Sequence, residues 1–498
     1  MQLVLVVDMG TTNMKAGIVD ERGQVLSHCS EEVEIHRPER GAAEHDPREL
    51  LQGFKRIVSK ASQGYEEEID VLALSGYQFG FLPLNGEMEP LSGMMTLLDE
   101  RPKVVMEDFQ REAPLEEIYR KTGCPPLFTY NLVTLRWLKR ERPDLFAASK
   151  YFAGIKSYLI HWLTGRFCTE PSISSATQLL NIHQLDWDEE ILDLAGIDSD
   201  QLPRVVSGAD FLGEIPRSKA KQLGLGPGVR LLPGIYDGGA MILGMGGQEG
   251  AYGVCNLGTT AMLRGSFSQP LLDDPARRRL QCYSLIPGKW TAGGAVNNAG
   301  VALKWIRDQL WPGADYGEIV EAASKVEAGS EGLFCLPYLT GERDPRIGNM
   351  ASGSFFGLKE YHSRAHLARA VMEGVCYSLN LVKEALAENG WEVEGLRVGG
   401  SGSKSDLWPQ ILANVLEGTV EKSLTEDATL IGEAILAYQS LGLYSDLEEA
   451  VDSLVKTGAK FEPEEEKESA YREGYRFFRD LLAQSRELYD DHARSFSG

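Results

Sequence analysis

Apolar residues run unbroken from Leu3 to Val7, stop at Asp8, and resume at Ala16–Val19 after the turn Gly10-Thr11-Thr12. An uninterrupted run of this length predicts a strand buried on both faces, and the two runs together predict a β-hairpin. The same arrangement returns half a chain later. NLGTTAMLRG at 256–265 repeats DMGTTNMKAG at 8–17, with Gly, Thr, Thr, Met and Gly in register, and follows the strand-like run Ala251–Cys255. Between the copies, LLPGIYDGGAMILGMGG at 231–247 reads as a strand ending at Tyr236 and an amphipathic stretch beginning near Asp237. Helical spacing dominates residues 103–200 and 361–390. It also marks 293–310, a Gly/Asn turn leading into a helix with Val301, Trp305 and Ile306 on one face. VGGSGSKSDLWPQILANVL at 398–416 is a strand, a Gly-rich turn and a helix, and Tyr471, Tyr475, Phe478 and Leu482 form a packing stripe in a C-terminal helix. Strands and helices alternate throughout, so the class is α/β.

The turns carry the candidate chemistry. Gly10 admits close backbone approach, and successive N–H groups in such a turn cradle an anion. Thr11 and Thr12 add hydroxyls, Lys15 a cation, and Asp8 can hold Mg2+ through water; an ordinary Gly turn is the plainer alternative. The repeat implies two related domains across a cleft. Asn256 stands where Asp8 stood, so one half would hold a metal while the other only cradles phosphate. Asp237, at a strand-to-helix junction with small neighbours, suits a general base for a hydroxyl attacking ATP, or equally a helix N-cap. Neither the P-loop pattern GxxxxGK[ST] nor a GxGxxG after the first strand is present.

Composition narrows the class. The 498 residues are 43% hydrophobic and 25% charged, an ordinary globular composition with room for two or three domains. A formal charge of -23 opposes general binding to nucleic acid or to an anionic membrane. Any bound phosphate must then be held by local dipoles, a metal or a few placed cations. Seven scattered cysteines with no CxxC read as reduced thiols of a cytoplasmic protein. No apolar run reaches the roughly 18 residues of a membrane span, and Leu3–Val7 is a poor signal peptide.

Taken together, the motifs resemble the FGGY carbohydrate kinases over nearly the whole length. The matching segments are DMGTTNMK, TEPSISSATQLLNIHQLDW at 169–187, PGIYDGGAMILGMG, NLGTT, GGAVNNAGVALKWIRD, LPYLTGERDPRIGNMASGSFFGL at 336–358, RAVMEGV at 369–375 and the 398–416 segment. The resemblance implies a duplicated actin/Hsp70/hexokinase-type (ribonuclease H-like) fold with two domains flanking a central cleft. Expected boundaries are 1–248, 249–460 and a C-terminal helix at 461–498. It implies ATP and Mg2+ as cofactors and phosphorylation of a linear sugar such as xylulose, ribulose or gluconate.

By position, Asp8 matches the Mg2+-associated acid and Asp237 the catalytic base. Thr11, Thr12, Asn13 and Lys15 match the first phosphate loop and Thr259 the second, while Gly300, Lys304, Gly400 and Lys404 match the nucleotide site. Gln78, Asp99 and Arg101 match the sugar side. Two departures fall there: Leu97 replaces the Trp of a Trp-x-Asp-x-Arg segment, and Gln78-Phe79 stands where many relatives carry Met-His. The alternatives are a kinase of a small signalling or polyol ligand and a non-kinase ATPase of the same fold. Expected partners are a small sugar and, as an open option, a second copy in a homodimer, with neither nucleic acid nor membrane.

Overall fold

The computed structural model describes residues 2–348 and 350–496. Its first sheet is built from β1 (Leu3–Met9), β2 (Asn13–Val19), β3 (Val25–Glu32), β4 (Ile69–Gly76) and β5 (Arg230–Leu232), in the order β5-β4-β1-β2-β3. β1 and β2 form the expected hairpin, β1 and β4 are parallel, and so are β4 and β5. Every residue of β1 is buried, as befits a central strand covered on both faces.

The second sheet repeats this plan. It contains β6 (Tyr252–Leu257), β7 (Ala261–Phe267), β8 (Gln281–Ile286), β9 (Lys289–Val296), β10 (Gly395–Gly399), β11 (Thr419–Ser423) and β12 (Thr457–Phe461), ordered β8-β9-β7-β6-β10-β11-β12. The run β9-β7-β6-β10-β11 matches β3-β2-β1-β4-β5 in order and in strand direction. The ten-residue sequence repeat is therefore the visible part of a duplicated sheet.

Helices that matter for the site are, in chain order, α1 (Pro47–Ala61), α2 (Ile155–Thr164), α3 (Pro171–Ser175), α4 (Asp237–Gly244), α5 (Gly300–Leu310), α6 (Tyr316–Ser324), α7 (Arg364–Glu388), α8 (Leu407–Leu416), α9 (Ala428–Ser440), α10 (Leu447–Leu454) and α11 (Glu465–Phe496). α1 starts where the Asp46 carboxylate accepts the N–H groups of Arg48 and Glu49, and it buries Leu50, Phe54, Ile57 and Val58. In α5 the core face is Ala302, Leu303 and Ile306, whereas Trp305, expected beside them, is exposed. Val301 and Trp305, four residues apart, share a strip of the helix beside that core stripe, with Val301 half-buried. α11 packs Tyr471, Phe478, Leu482 and Tyr489 into the core of the second sheet. Among the described residues no helix is long and apolar enough to cross a membrane, and all seven cysteines are buried free thiols.

The cores cross the expected domain boundary. α9 and α10 lie within 249–460 by sequence, yet Leu430, Ile431, Ala434 and Val451 pack with Val4 and Val6 of β1 and Val71 and Ala73 of β4. β12 then returns the chain to the second sheet. The sequence offered no marker for this exchange, because an apolar helix face does not name the sheet that covers it.

α4 and α9 cross at backbone contact. A Cβ on Gly432 would strike the Ala240 carbonyl, and one on Gly244 the Ala428 carbonyl. Replacing Gly432 by Val should lower stability by about 3 kcal/mol, as overpacking against rigid backbone does. Denaturant unfolding checks this, and an unchanged midpoint would contradict the close crossing.

Candidate active site

The site begins at the C-terminal ends of three neighbouring parallel strands, the place where open α/β sheets bind ligands. Asp8 is the penultimate residue of β1 and is paired with Ser75 of β4. Ser75 Oγ donates to the Ile235 carbonyl at 3.2 Å, and Gly76 bridges to Tyr236, so the segment after β5 is registered against the same strands. That register places Asp237 at the start of α4. The N-cap position belongs to Tyr236, and the Asp237 carboxylate accepts the adjacent Gly238 N–H, at 2.7 Å. The helix-cap alternative is thereby displaced by one residue, leaving a carboxylate with spare lone pairs.

Burial pushes the Asp237 carboxyl up to about 6, against the opposing pull of the Gly238 N–H and the Lys156 charge. Asp8 is raised as well, first by burial and then by the charge of Asp237, while Lys15 and Lys156 pull it down. Asp8 Oδ1 is buried without a hydrogen-bond partner. An ionisable oxygen in that condition fits a cation or its water shell, so Asp8 is suited to hold Mg2+.

The first phosphate-type turn is tight, with the Gly10 N–H donating to the Asn13 carbonyl at 3.1 Å. His45 supports it from below: Nε2 lies 3.0 Å from the Thr11 carbonyl and Nδ1 2.9 Å from the Tyr77 hydroxyl. Burial lowers the His45 pKa to about 4, so the ring is neutral at pH 7. Thr12 and Asn13 are exposed and bonded to each other at 3.2 Å. Lys15 Nζ is paired at 2.9 Å with Asp427, which also caps α9.

In the second turn Thr259 is exposed, and the N–H groups of Gly300 and Val301 bond the carbonyls of Gly258 and Thr259. Sequence reasoning missed its brace. Asn298 Oδ1 accepts from Thr340, and Glu342 accepts the Asn297 N–H at 2.8 Å from the loop after Tyr338. Thr259, Gly300, Lys304 and Lys404 line one cavity of about 540 Å³, walled by Val301, Leu303, Tyr316, Val320 and Trp408. Gly400 sits just behind it at φ 88°, a left-handed turn that favours glycine. Lys304 is paired with Asp308 at 2.6 Å and remains 60% exposed, able to exchange partners.

The sugar-side residues divide. Gln78 is buried, with Nε2 reaching the Ser172 carbonyl at 3.4 Å, and Phe79 beside it is held at φ 67°, a strained conformation for an aromatic residue. Asp99 and Arg101 stay together, paired with each other. Arg101 is clasped by Asp99, Glu39 and Glu44, with its guanidinium 4.9 Å over Trp137. The cavity beside Arg101 includes neither Gln78 nor Asp237. Their donors and acceptors are spent on each other, which an Asp-x-Arg spacing alone does not disclose.

Three further residues escaped sequence reasoning. Lys156 and Glu170 form an ion pair at 2.8 Å with 1% and 0% side-chain exposure, and Glu433 is fully buried with one carboxylate oxygen unpartnered. A lysine inside the apolar stretch KYFAGIKSYLIHWLTG was the available signal.

Comparison with known proteins bears on the whole chain. Residues 3–244 match the N-terminal domain, and 253–441 the C-terminal domain, of the FGGY family of carbohydrate kinases. The chain is 30% identical to a gluconokinase of Bacillus subtilis, over 94% of its own length and 93% of that protein. It is 27% identical to a xylulose kinase of Staphylococcus epidermidis, with 98% of each covered. Crystal structures of a gluconate kinase and a ligand-bound xylulose kinase, both from Lactobacillus acidophilus, superpose with TM-scores of 0.93 at 28% identity. Those structures cover 98% of this chain and 99% and 100% of their own. With both halves matched, the sheets duplicated in topology and two acids set at the strand ends, this chain belongs to the FGGY family of carbohydrate kinases.

Proposed function

We propose that the protein transfers the terminal phosphoryl group of ATP to the terminal hydroxyl of a linear sugar, a ketopentose such as xylulose or ribulose, or gluconate. The observation that carries this reading is the pairing of a half-buried base, Asp237, with a separate cavity holding Thr259, Gly300, Lys304 and Lys404. The kinases named above act on gluconate or xylulose, which supports the substrate class.

Each residue has a distinct task. Asp237 takes the proton from the sugar hydroxyl as its oxygen attacks the γ-phosphorus, the bond to the β-phosphate oxygen breaks, and ADP leaves. Gln78, held at the Ser172 carbonyl, orients the sugar. The turns at Gly10–Asn13 and Gly258–Thr260 present N–H groups and hydroxyls to the phosphates, and Lys15 can leave Asp427 for them. Asp8 is the residue that would hold Mg2+, which when bound neutralises phosphate charge. The apolar wall of Leu303, Tyr316 and Val320 receives the adenine, with Lys404 at its edge and the turn at Gly400 leading into the lining residues Ser401 and Gly402. Asp99 and Arg101 enter only as the brace of segment 39–44.

Replacing Asp237 by Asn should cut sugar-dependent ADP release by about 10³-fold, within the usual worth of a positioned base. Retained turnover would remove Asp237 from catalysis. The sign of the pH effect comes from its raised carboxyl: the base works ionised, so kcat/KM should rise with pH to a plateau above about 6. The residual activity of Asp237→Asn should lack that limb. Filling the cavity with Val320→Trp should raise the KM for ATP by about 10-fold, a cost near 1.4 kcal/mol, with the sugar KM unchanged; an unaffected ATP KM would place the nucleotide elsewhere.

A further inference from the structure

The short helix α3 has no place in the phosphoryl-transfer scheme, yet hydrogen bonds from three parts of the site converge on it. Glu170 precedes it and accepts the N–H groups of Ser172 at 2.6 Å and Ile173 at 3.2 Å. The same carboxylate takes Lys156 Nζ at 2.8 Å, so a fully buried ion pair fixes the first turn. Ser172 Oγ accepts the Tyr236 N–H at 2.9 Å, one residue before the base. The Ser172 carbonyl accepts Gln78 Nε2 at 3.4 Å. At the other end, Ser175 Oγ accepts the Ser284 N–H of β8 at 3.1 Å, a contact from the second sheet.

We propose that Ser172 is a positioning residue for phosphoryl transfer, setting the turn that aims Asp237 through its hydroxyl while its backbone carbonyl indexes Gln78. The inference rests on the sugar-kinase reading and deepens it. A buried N–H that loses its acceptor must find another or stay unpaired, and Tyr236 is 3% exposed with the adjoining strand ends packed around it. The Ile235–Tyr236 peptide, one unit before the one that enters Asp237, is thus held at its N–H by the Ser172 hydroxyl and at its carbonyl by the Ser75 hydroxyl, and losing the first leaves it held on one side only. Misplacing a reacting group by an ångström is enough to cost about 10²-fold in rate.

The two functions of residue 172 separate by chemistry. Ser172→Ala removes the hydroxyl and keeps the carbonyl. It should lower kcat by about 10-fold or more, leave the sugar KM within about two-fold, and speed hydrogen exchange at the Tyr236 amide. Gln78→Ala should do the reverse, raising the sugar KM with the smaller effect on kcat. Should Ser172→Ala fail to fold, Ser172→Cys supplies a weaker acceptor of similar size, and its kcat should fall by about 3-fold with the exchange rate again raised. Unchanged kcat in the folded variant, or a sugar KM that rises as much as kcat falls, overturns the positioning role. If the parent shows no sugar-dependent turnover, the kinase reading and this role fall together. If the parent turns over and the Ser172 variant matches it, only this role falls.

Discussion

Four carboxylates gathered beneath the ends of parallel strands, with one buried cation among them, are the constraint on which the rest of this site depends. Asp8 and Asp237 are raised by burial, Glu433 lies well above the ordinary carboxylate range for the same reason, and the charge of Lys156 lowers all three. Glu170 takes the only direct bond from Lys156 among the described residues. Removing one partner of such a buried pair leaves an uncompensated charge, which costs roughly 3–5 kcal/mol. The arrangement is maintained against its own repulsion, and it sets the half-buried Asp237 carboxylate beside an acid with an unpartnered oxygen. A polyphosphate brought to the same place requires cations and N–H dipoles nearby, and the two Gly-Thr-Thr turns supply the dipoles.

The duplicated sheet explains how one short sequence pattern serves twice. Each hairpin sits next to two parallel strands, so each Gly-Thr-Thr turn emerges at a carboxyl edge. The halves diverge two residues before the glycine of the turn. The first half keeps the acid, Asp8, and the second replaces it with Asn256, whose side chain packs under Gly400. The helices α9 and α10 tie the halves together by packing on the first sheet while the strands before and after them, β11 and β12, belong to the second.

Much of this was legible in the residues. The buried run Leu3–Val7, the repeat at 256–265 and the strand-turn-helix around Asp237 pointed to the two sheets and to the position of Asp237 at the start of a helix, because local patterns encode local structure. Thr259, Gly300, Lys304 and Lys404, far apart along the chain, converge on one cavity only through the fold. Partnership stayed hidden. Nothing in Leu-Leu-Asp-Glu-Arg says that Glu39 and Glu44 will occupy Arg101, and nothing in Asn13-Met14-Lys15 names Asp427 as the partner of Lys15. Lys156, Glu170 and Ser172 lie within recognisable segments, yet their meaning is in bonds spanning up to 94 residues.

The central claim is that the two turns and the two acids act together on one transfer, from ATP to a sugar hydroxyl. Incubation with Mg-ATP and xylulose, ribulose or gluconate, with mass spectrometry to locate the phosphoryl group, tests it most directly. The expected product is a sugar phosphate esterified at the terminal carbon, formed in step with ADP. ADP and inorganic phosphate accumulating with every one of these sugars, and no sugar phosphate, would contradict it.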